Sequence, residues 1–278
     1  MVHSAGDIAF ITSKPPTAYI ADPAHTLFTA GRHHLVLYAL LTRRRSILAE
    51  PAWKWVPWNE HPKSPRDLLL DIIIDVPAIY EAMDSVNSWP DEEDDDGTGK
   101  RGPGKGRKET ARLMIRSGLT AVITRLQAWH DAHAMRTIPP SLSHPPPAAA
   151  TPEQFLAGHV MTLFWATCIR LHNHERLLLL PGEFPDPRID PDECCRSIVN
   201  VIRVFVQPSA GICRQHFTVY PMSTAMQHLI DVGPNRMVEE RKSLWADLNR
   251  PHCVLIKRFL LNMEPPRYRN EEEAKLGP

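Results

Sequence analysis

The sequence predicts an all-α protein, an irregular bundle of long helices joined by proline-rich and charged loops. Three observations carry that class. Apolar residues recur every three or four positions over long windows, as at Leu119, Val122, Ile123 and Leu126. Proline follows a capping residue at helix-opening positions, as in Ser64-Pro65 and Asp190-Pro191. Alternating strand patterns bounded by hairpin turns are missing. With 278 residues, 43% of them hydrophobic, the chain can bury a sizeable core.

Residues 1–24, with Pro15, Pro16 and Pro23, read as an irregular lead-in. Residues 25–48 read as a helix with Leu27, Leu35, Leu37, Tyr38, Leu41 and Leu48 on its apolar face. Arg43, Arg44 and Arg45 fall in its last turns, where cations suit the helix dipole. Pro51 stops it, and residues 51–65 read as a loop carrying Trp53, Trp55 and Trp58. Ser64 caps a second helix that runs to about residue 88, with a kink at Pro77. Asp67, Asp71 and Asp75 recur every four residues and read as its solvated stripe.

Residues 89–108 read as a disordered charged insert. The runs DEEDDD and GTGKRGPGKGRK cannot bury enough apolar surface to fold. A third helix is expected over 109–135, and a Pro/Ala-rich loop over 138–151. Thr151 caps a helix over 152–180, and Asp190-Pro191 starts another to about residue 206. Shorter helices follow near 219–230, 234–249 and 252–261, then a polar tail over 264–278. Residues 25–263 are thus expected to form one helical domain.

Net charge is zero, so no global field draws the chain to nucleic acid or to an anionic membrane. No apolar run approaches the ~18 residues of a membrane span. Cys168, Cys194, Cys195, Cys213 and Cys253 are odd in number and lack C-x-x-C spacing. They read as free thiols in a reducing compartment. A soluble intracellular protein is expected.

Chemical motifs are weak. Gly99 to Lys105 matches the start of a phosphate-binding loop, but Gly106 stands where Ser or Thr must hold magnesium, and no strand precedes it. Asp91 to Asp95 fits an aspartate-rich diphosphate motif, but a proline precedes it and no second metal motif follows. His130 and His133 share a helix face without an evident third ligand, and His172 and His174 lie on different sides of a helix. Neither a G-x-S-x-G elbow nor a redox cysteine pair occurs. No catalytic residue, metal or cofactor is expected. Lys100, Arg101, Lys105, Arg107 and Lys108 form a candidate nuclear-import cluster, set against the plainer reading of a solvated linker balancing the acidic run.

The stretch 41–58, LTRRRSILAEPAWKWVPW, stands apart. Its arginines and interleaved tryptophans fit a nucleic-acid surface. They are explained more simply as a charged helix end and as anchors of the next loop. The stretch resembles the fungal-specific transcription factor domain, through Arg44, Glu50, Pro51, Trp53, Pro57 and Trp58 above all. Softer likenesses follow in the same order at PRDLLLDII (65–73), CIRL (168–171), CCRSI (194–198), PSAGI (208–212) and YPMSTAM (220–226).

The resemblance implies a regulatory helical domain that acts in the nucleus through protein contacts or ligand response. In that family it accompanies a zinc-binuclear-cluster DNA-binding module. The six close-set cysteines of that module do not occur in this sequence, so direct DNA contact does not carry over. The expectation is non-enzymatic transcription regulation, with a related transcription factor or a coactivator as partner, through homo- or heterodimers and without specific DNA binding. Such a protein is either a stand-alone relative, encoded beside a metabolic gene cluster, or a chain whose zinc cluster lies upstream of Met1. The alternative is an all-α enzyme or small-molecule binder whose pocket gathers polar groups such as His130, His133 and Glu175.

Overall fold

The computed structural model describes residues 6, 9–89, 105–137, 150–207, 210–211, 213–254 and 257–258, without the side chains of 105, 134–137, 213–216 and 252. Among the described residues the regular structure is helical throughout, and the class is all-α. The α-helices are α1 (Ala24–Thr42), α2 (Pro51–Trp55), α3 (Pro65–Ile73), α4 (Val76–Asn87) and α5 (Lys105–Thr137). They continue with α6 (Pro152–Arg176), α7 (Pro191–Phe205), α8 (Cys213–Asp231) and α9 (Val238–Leu248). Short 3-10 turns occupy Pro16–Tyr19, Ile47–Ala49, Val56–Trp58 and Pro251–Cys253.

The chain divides into two compact units. The first comprises residues 1–132 and 174–185, the second 133–173 and 186–278.

In the first unit α1 packs against α3 and α4. Phe28, Leu35 and Val36 of α1, and Leu69, Leu70 and Ile73 of α3, are essentially removed from water. Ile11 and Tyr19, from the stretch expected to be an irregular lead-in, belong to this core, and Pro16–Tyr19 forms a 3-10 turn. Tyr19 is buried, its hydroxyl donates to the Ile11 carbonyl (2.8 Å), and its ring stacks on Phe28 (5.2 Å). α5 lies along α3, where the Trp129 indole N–H donates to the Pro65 carbonyl (2.8 Å).

Three boundaries move for physical reasons. α1 stops at Thr42 because Arg43 turns left-handed (φ 55°, ψ 37°), and the Arg43 and Arg44 N–H groups both close on the Ala39 carbonyl. The expected loop over 51–65 is mostly helical turns, since Pro51 and Pro57 sit at opening positions that need no N–H donor. The expected kinked helix over 65–88 is two helices, with Pro77 inside the first turn of α4. Ser64 does cap α3, in a reciprocal box with Asp67.

α5 begins at Lys105, so the disordered insert expected over 89–108 does not extend through its last four residues. Residues 90–104, with the acidic run, Lys100 and Arg101, lie outside the described residues, as do 138–149 and the tail from 259.

In the second unit α7 packs against α8 and α9. Asp190 caps α7 through the Asp192 and Glu193 N–H groups (2.9 and 3.1 Å). Cys195, Ile198, Ile202, Val204 and Phe205 form its buried side. α6 ends at Arg176, short of the expected residue 180. α8 starts six residues earlier than the expected 219 and carries Pro221 within it. An interior proline costs a helix ~3 kcal/mol. Burial of Thr218, Tyr220, Met222 and Ala225 around it offsets that cost.

Gly158 of α6 lets this packing close. A Cβ there would meet Val201 and Phe205 at 3.1 Å, and both side chains are buried. Alanine gains about 1 kcal/mol of helix propensity, whereas overpacking costs about 1–3 kcal/mol. Gly158→Ala is expected to destabilise by about 1 kcal/mol in urea unfolding, and a rise in the midpoint would contradict the close fit.

Candidate interaction site at the arginine and tryptophan segment

The segment is built on a buried charge. Helical spacing puts Phe28, Arg32, Leu35, Val36 and Ala39 on one side of α1. Arg32 sits in that apolar row with none of its surface exposed. One terminal nitrogen donates to Asp71 and the other to the Asp67 carbonyl (3.1 Å). The guanidinium lies 4.6 Å from the Trp58 ring centre. Lys63 donates to the second oxygen of Asp71 (2.5 Å) and sits over Trp55 and Trp58 (4.1 and 4.9 Å). Two cations thus share the Asp71 carboxylate, with the Asp67 carboxylate 4.0 Å from Arg32.

Asp67 and Asp71 are therefore buried, which corrects the solvated stripe. Asp75 is half-buried and takes Lys54 (2.6 Å) and Arg125 (2.7 Å). Trp53 is buried against Tyr19 and Phe28, at ring distances of 6.0 and 5.9 Å. The Trp58 indole N–H is buried with no hydrogen-bond partner among the described residues. Its place is held by ring contacts with Arg32, Lys63, Phe28 and the edge of His25.

The arginine run is tied down from the other side. Arg43 donates twice to the Asp84 carboxylate, at 2.7 Å each. Its third nitrogen donates to His174 Nε2 (2.8 Å), so that ring nitrogen carries no proton. The Tyr80 ring stacks on His174 (4.1 Å) and also lies under Arg43 (4.6 Å). Arg44 donates to Glu81 (3.0 Å), and the Arg45 backbone N–H donates to the other oxygen of Glu81 (3.1 Å). The hydrogen bonds from Arg43 hold the Asp84 carboxyl below the usual range, and those from Arg44 and the Arg45 N–H do the same for Glu81. Arg43 and Arg44 thus answer carboxylates of α4 and are not free for phosphate.

The residues singled out in the sequence divide cleanly. Trp53, Pro57 and Trp58 are buried anchors. Pro51 opens α2 and Glu50 precedes it in extended conformation with its side chain exposed, while Arg44 is exposed and paired. Of the import cluster, Lys105, Arg107 and Lys108 lie on α5 and not on a loop. Arg107 stacks on Trp89 (4.8 Å), and Lys108 reaches the Trp89 carbonyl (3.4 Å). Lys100 and Arg101 are outside the described residues.

Other candidate chemistry is sparse. Among the described residues no group of three or more His, Cys, Asp or Glu side chains is arranged to hold a metal. Cys168, Cys194, Cys195 and Cys253 are buried and in no disulfide. Burial pushes the Cys195 thiol up to about 12, and Cys194 together with burial raises that of Cys168. Such thiols stay protonated and are poor nucleophiles. His130 is half-buried beside Asp131 (3.7 Å), and Glu175 is buried. An open cleft of ≈ 590 Å³ in the second unit is lined by Arg203, Gln207, Glu239, Lys242, Ser243, Ala246, Asp247 and Arg250, and by none of His130, His133 or Glu175. Its Asp247 already holds Arg250 (2.6 Å) and Arg203 (3.6 Å).

Sequence reasoning missed Arg32 and Lys63. Arg32 had a readable signal: it stands four residues after Phe28 and four before Val36, inside an apolar row. No protein-family profile, curated protein or solved structure matches the chain, so the family likeness rests on the residues quoted above.

Removing one partner of a buried ion pair costs about 3–5 kcal/mol. Arg32→Ala is expected at the lower end, because Lys63 still answers Asp71. In an Asp71→Asn background the same change should cost about 1–3 kcal/mol less, measured as a double-mutant cycle in urea. At the surface, Asp84 has a folded pKa below its unfolded value of about 3.9. Its contribution is therefore present above that value and lost as the pH falls through the depressed one. The side chain is half exposed, so the effect is at most about 1 kcal/mol. Asp84→Asn should flatten the stability profile between about pH 5 and pH 2 by that amount, with neutral-pH thiol titration unchanged in both proteins.

Proposed function

We propose that this chain is a helical regulatory module of the fungal-specific transcription factor type, acting through protein contacts and not through DNA contact of its own. The observation that carries the reading is the segment Arg43 to Trp58. Its signature tryptophans anchor the first unit's core, and Arg43 and Arg44 are engaged by Asp84 and Glu81. A segment built that way serves as scaffold and leaves recognition to other surfaces. Zero net charge and the lack of a six-cysteine cluster in this sequence point the same way.

In this reading the protein is non-enzymatic and works in the nucleus. It pairs with a related transcription factor or a coactivator, in a setting such as a metabolic gene cluster. Lys100, Arg101, Lys105, Arg107 and Lys108 supply the import signal.

Three experiments test it. Tethered to a heterologous DNA-binding module in a fungal host, the chain should change reporter output relative to that module alone. The purified chain should show no sequence-selective binding to duplex DNA at physiological salt, and selective binding would overturn the reading. Separately, alanine at the five basic positions should abolish nuclear accumulation of a fluorescent fusion. Undiminished accumulation would remove the import role.

A further inference from the structure

One short piece of the arginine segment contributes no side chain to the core. Residues 44–46 run between α1 and the 3-10 turn Ile47–Ala49 in no regular element, and Ser46 is extended (φ −106°, ψ 144°). The Ser46 oxygen accepts the Leu48 N–H (3.2 Å), and its hydroxyl proton is donated to no group among the described residues. Ser46 is half-buried, with exposed Arg44 and Arg45 before it and exposed Ile47 after it. Arg43 is held by Asp84 and His174. Arg44 is held by less, since its side chain is 74% exposed and its pair with Glu81 lies in water. Exposed pairs of this kind are weak, so Arg44 changes partner readily.

A hydroxyl on extended backbone, two residues after an exposed arginine and just before an apolar residue, is what a basophilic protein kinase reads. Such an enzyme lays its substrate out along a groove and meets the arginine with carboxylates of its own. Two hydroxyls follow basic residues both three and two places before them: Ser46 after Arg43 and Arg44, and Thr110 after Arg107 and Lys108. Thr110 lies inside α5, where its hydroxyl donates to the Gly106 carbonyl (2.6 Å). A helical backbone does not fit such a groove, so the fold separates two sites that the sequence makes alike. We propose that Ser46 is a phosphorylation site for a serine/threonine kinase that recognises Arg44. The γ-phosphorus of ATP leaves its bridging oxygen and bonds to the Ser46 Oγ, the hydroxyl proton passes to the kinase's catalytic carboxylate, and ADP departs. The product places a charge of about −1.5 to −2 beside Arg45, whose exposed side chain has no carboxylate partner among the described residues. The site goes beyond the regulatory reading and does not depend on it.

The test uses the full folded chain, Mg-ATP and the catalytic subunit of cyclic-AMP-dependent protein kinase, below the onset of unfolding. Tandem mass spectrometry should locate phosphate on Ser46. Ser46→Ala should remove it with the circular dichroism spectrum unchanged, and Thr110→Ala should leave it in place. Arg44→Ala should lower kcat/KM about tenfold. In the phosphorylated chain, phosphorus NMR should show the second ionisation of the phosphate rising on Arg45→Ala, toward the ~6 of a phosphate with no cation beside it. Three results overturn the inference: phosphate on Thr110 in place of Ser46, no phosphate on Ser46 of the folded chain even where a peptide of residues 41–52 accepts it, or a rate that Arg44→Ala leaves unchanged. A second ionisation unmoved by Arg45→Ala would overturn the contact with Arg45. A reporter response without modification of Ser46 would remove this inference and leave the regulatory reading standing. Modification of Ser46 without a reporter response would do the reverse.

Discussion

The first unit depends on disposing of one charge. Arg32 lies in the apolar row of α1, where an unpaired guanidinium would be prohibitively costly. Compensation requires Asp71 and the Asp67 carbonyl from α3, which sets α1 against α3 in one register. It also requires a lid that tolerates a cation, and Trp58 provides an aromatic face. To deliver that face the chain from Pro51 to Trp58 must wind through tight turns rather than wander as a loop. Buried ion pairs are weak sources of net stability, but this one admits few alternative packings.

Charge pairing then extends outward in steps. Lys63 completes Asp71, Lys54 and Arg125 complete Asp75, and Arg43 and Arg44 complete the carboxylates of α4. A chain of zero net charge can still be strongly organised, because sign alternates over a few ångströms instead of over whole faces. The arginine run shows this most clearly. Arg43 takes a left-handed conformation usually left to glycine, at a cost of about 1–3 kcal/mol. Two carboxylate bonds, a histidine and a tyrosine face hold it there.

Much of the helical layout was legible. α5, α6 and α7 follow their apolar periodicity, and Ser64 and Asp190 cap where expected. The failures share a cause. Asp67, Asp71 and Asp75 at four-residue spacing look the same whether they face water or a buried cation, so the stripe was assigned to solvent. Pro51 read as a stop, and the segment after it as a loop, because proline ends one helix and opens the next with equal ease. The helix expected from residue 219 starts at Cys213 and carries Pro221 as an interior residue, because the burial that offsets the proline is not visible in the sequence. At the site, Trp53 and Trp58 are the buried anchors expected of the three tryptophans, whereas Trp55 is 67% exposed and anchors nothing by burial. Arg32 was not legible as a buried charge, since its partners lie 35 and 39 residues away.

The two units are interleaved along the chain, and α6 passes from one to the other near its C-terminal end. Neither unit is a continuous stretch of polypeptide. A ribosome that has released α1 through α5 has not yet supplied residues 174–185, among them His174, which meets Arg43, and Glu183, which meets Arg116. The first unit therefore cannot be completed during synthesis until residues 133–173 of the second have already been made. An N-terminal fragment that ends before residue 174 leaves both units unfinished, so truncation mapping across that range will register loss of folding as loss of function.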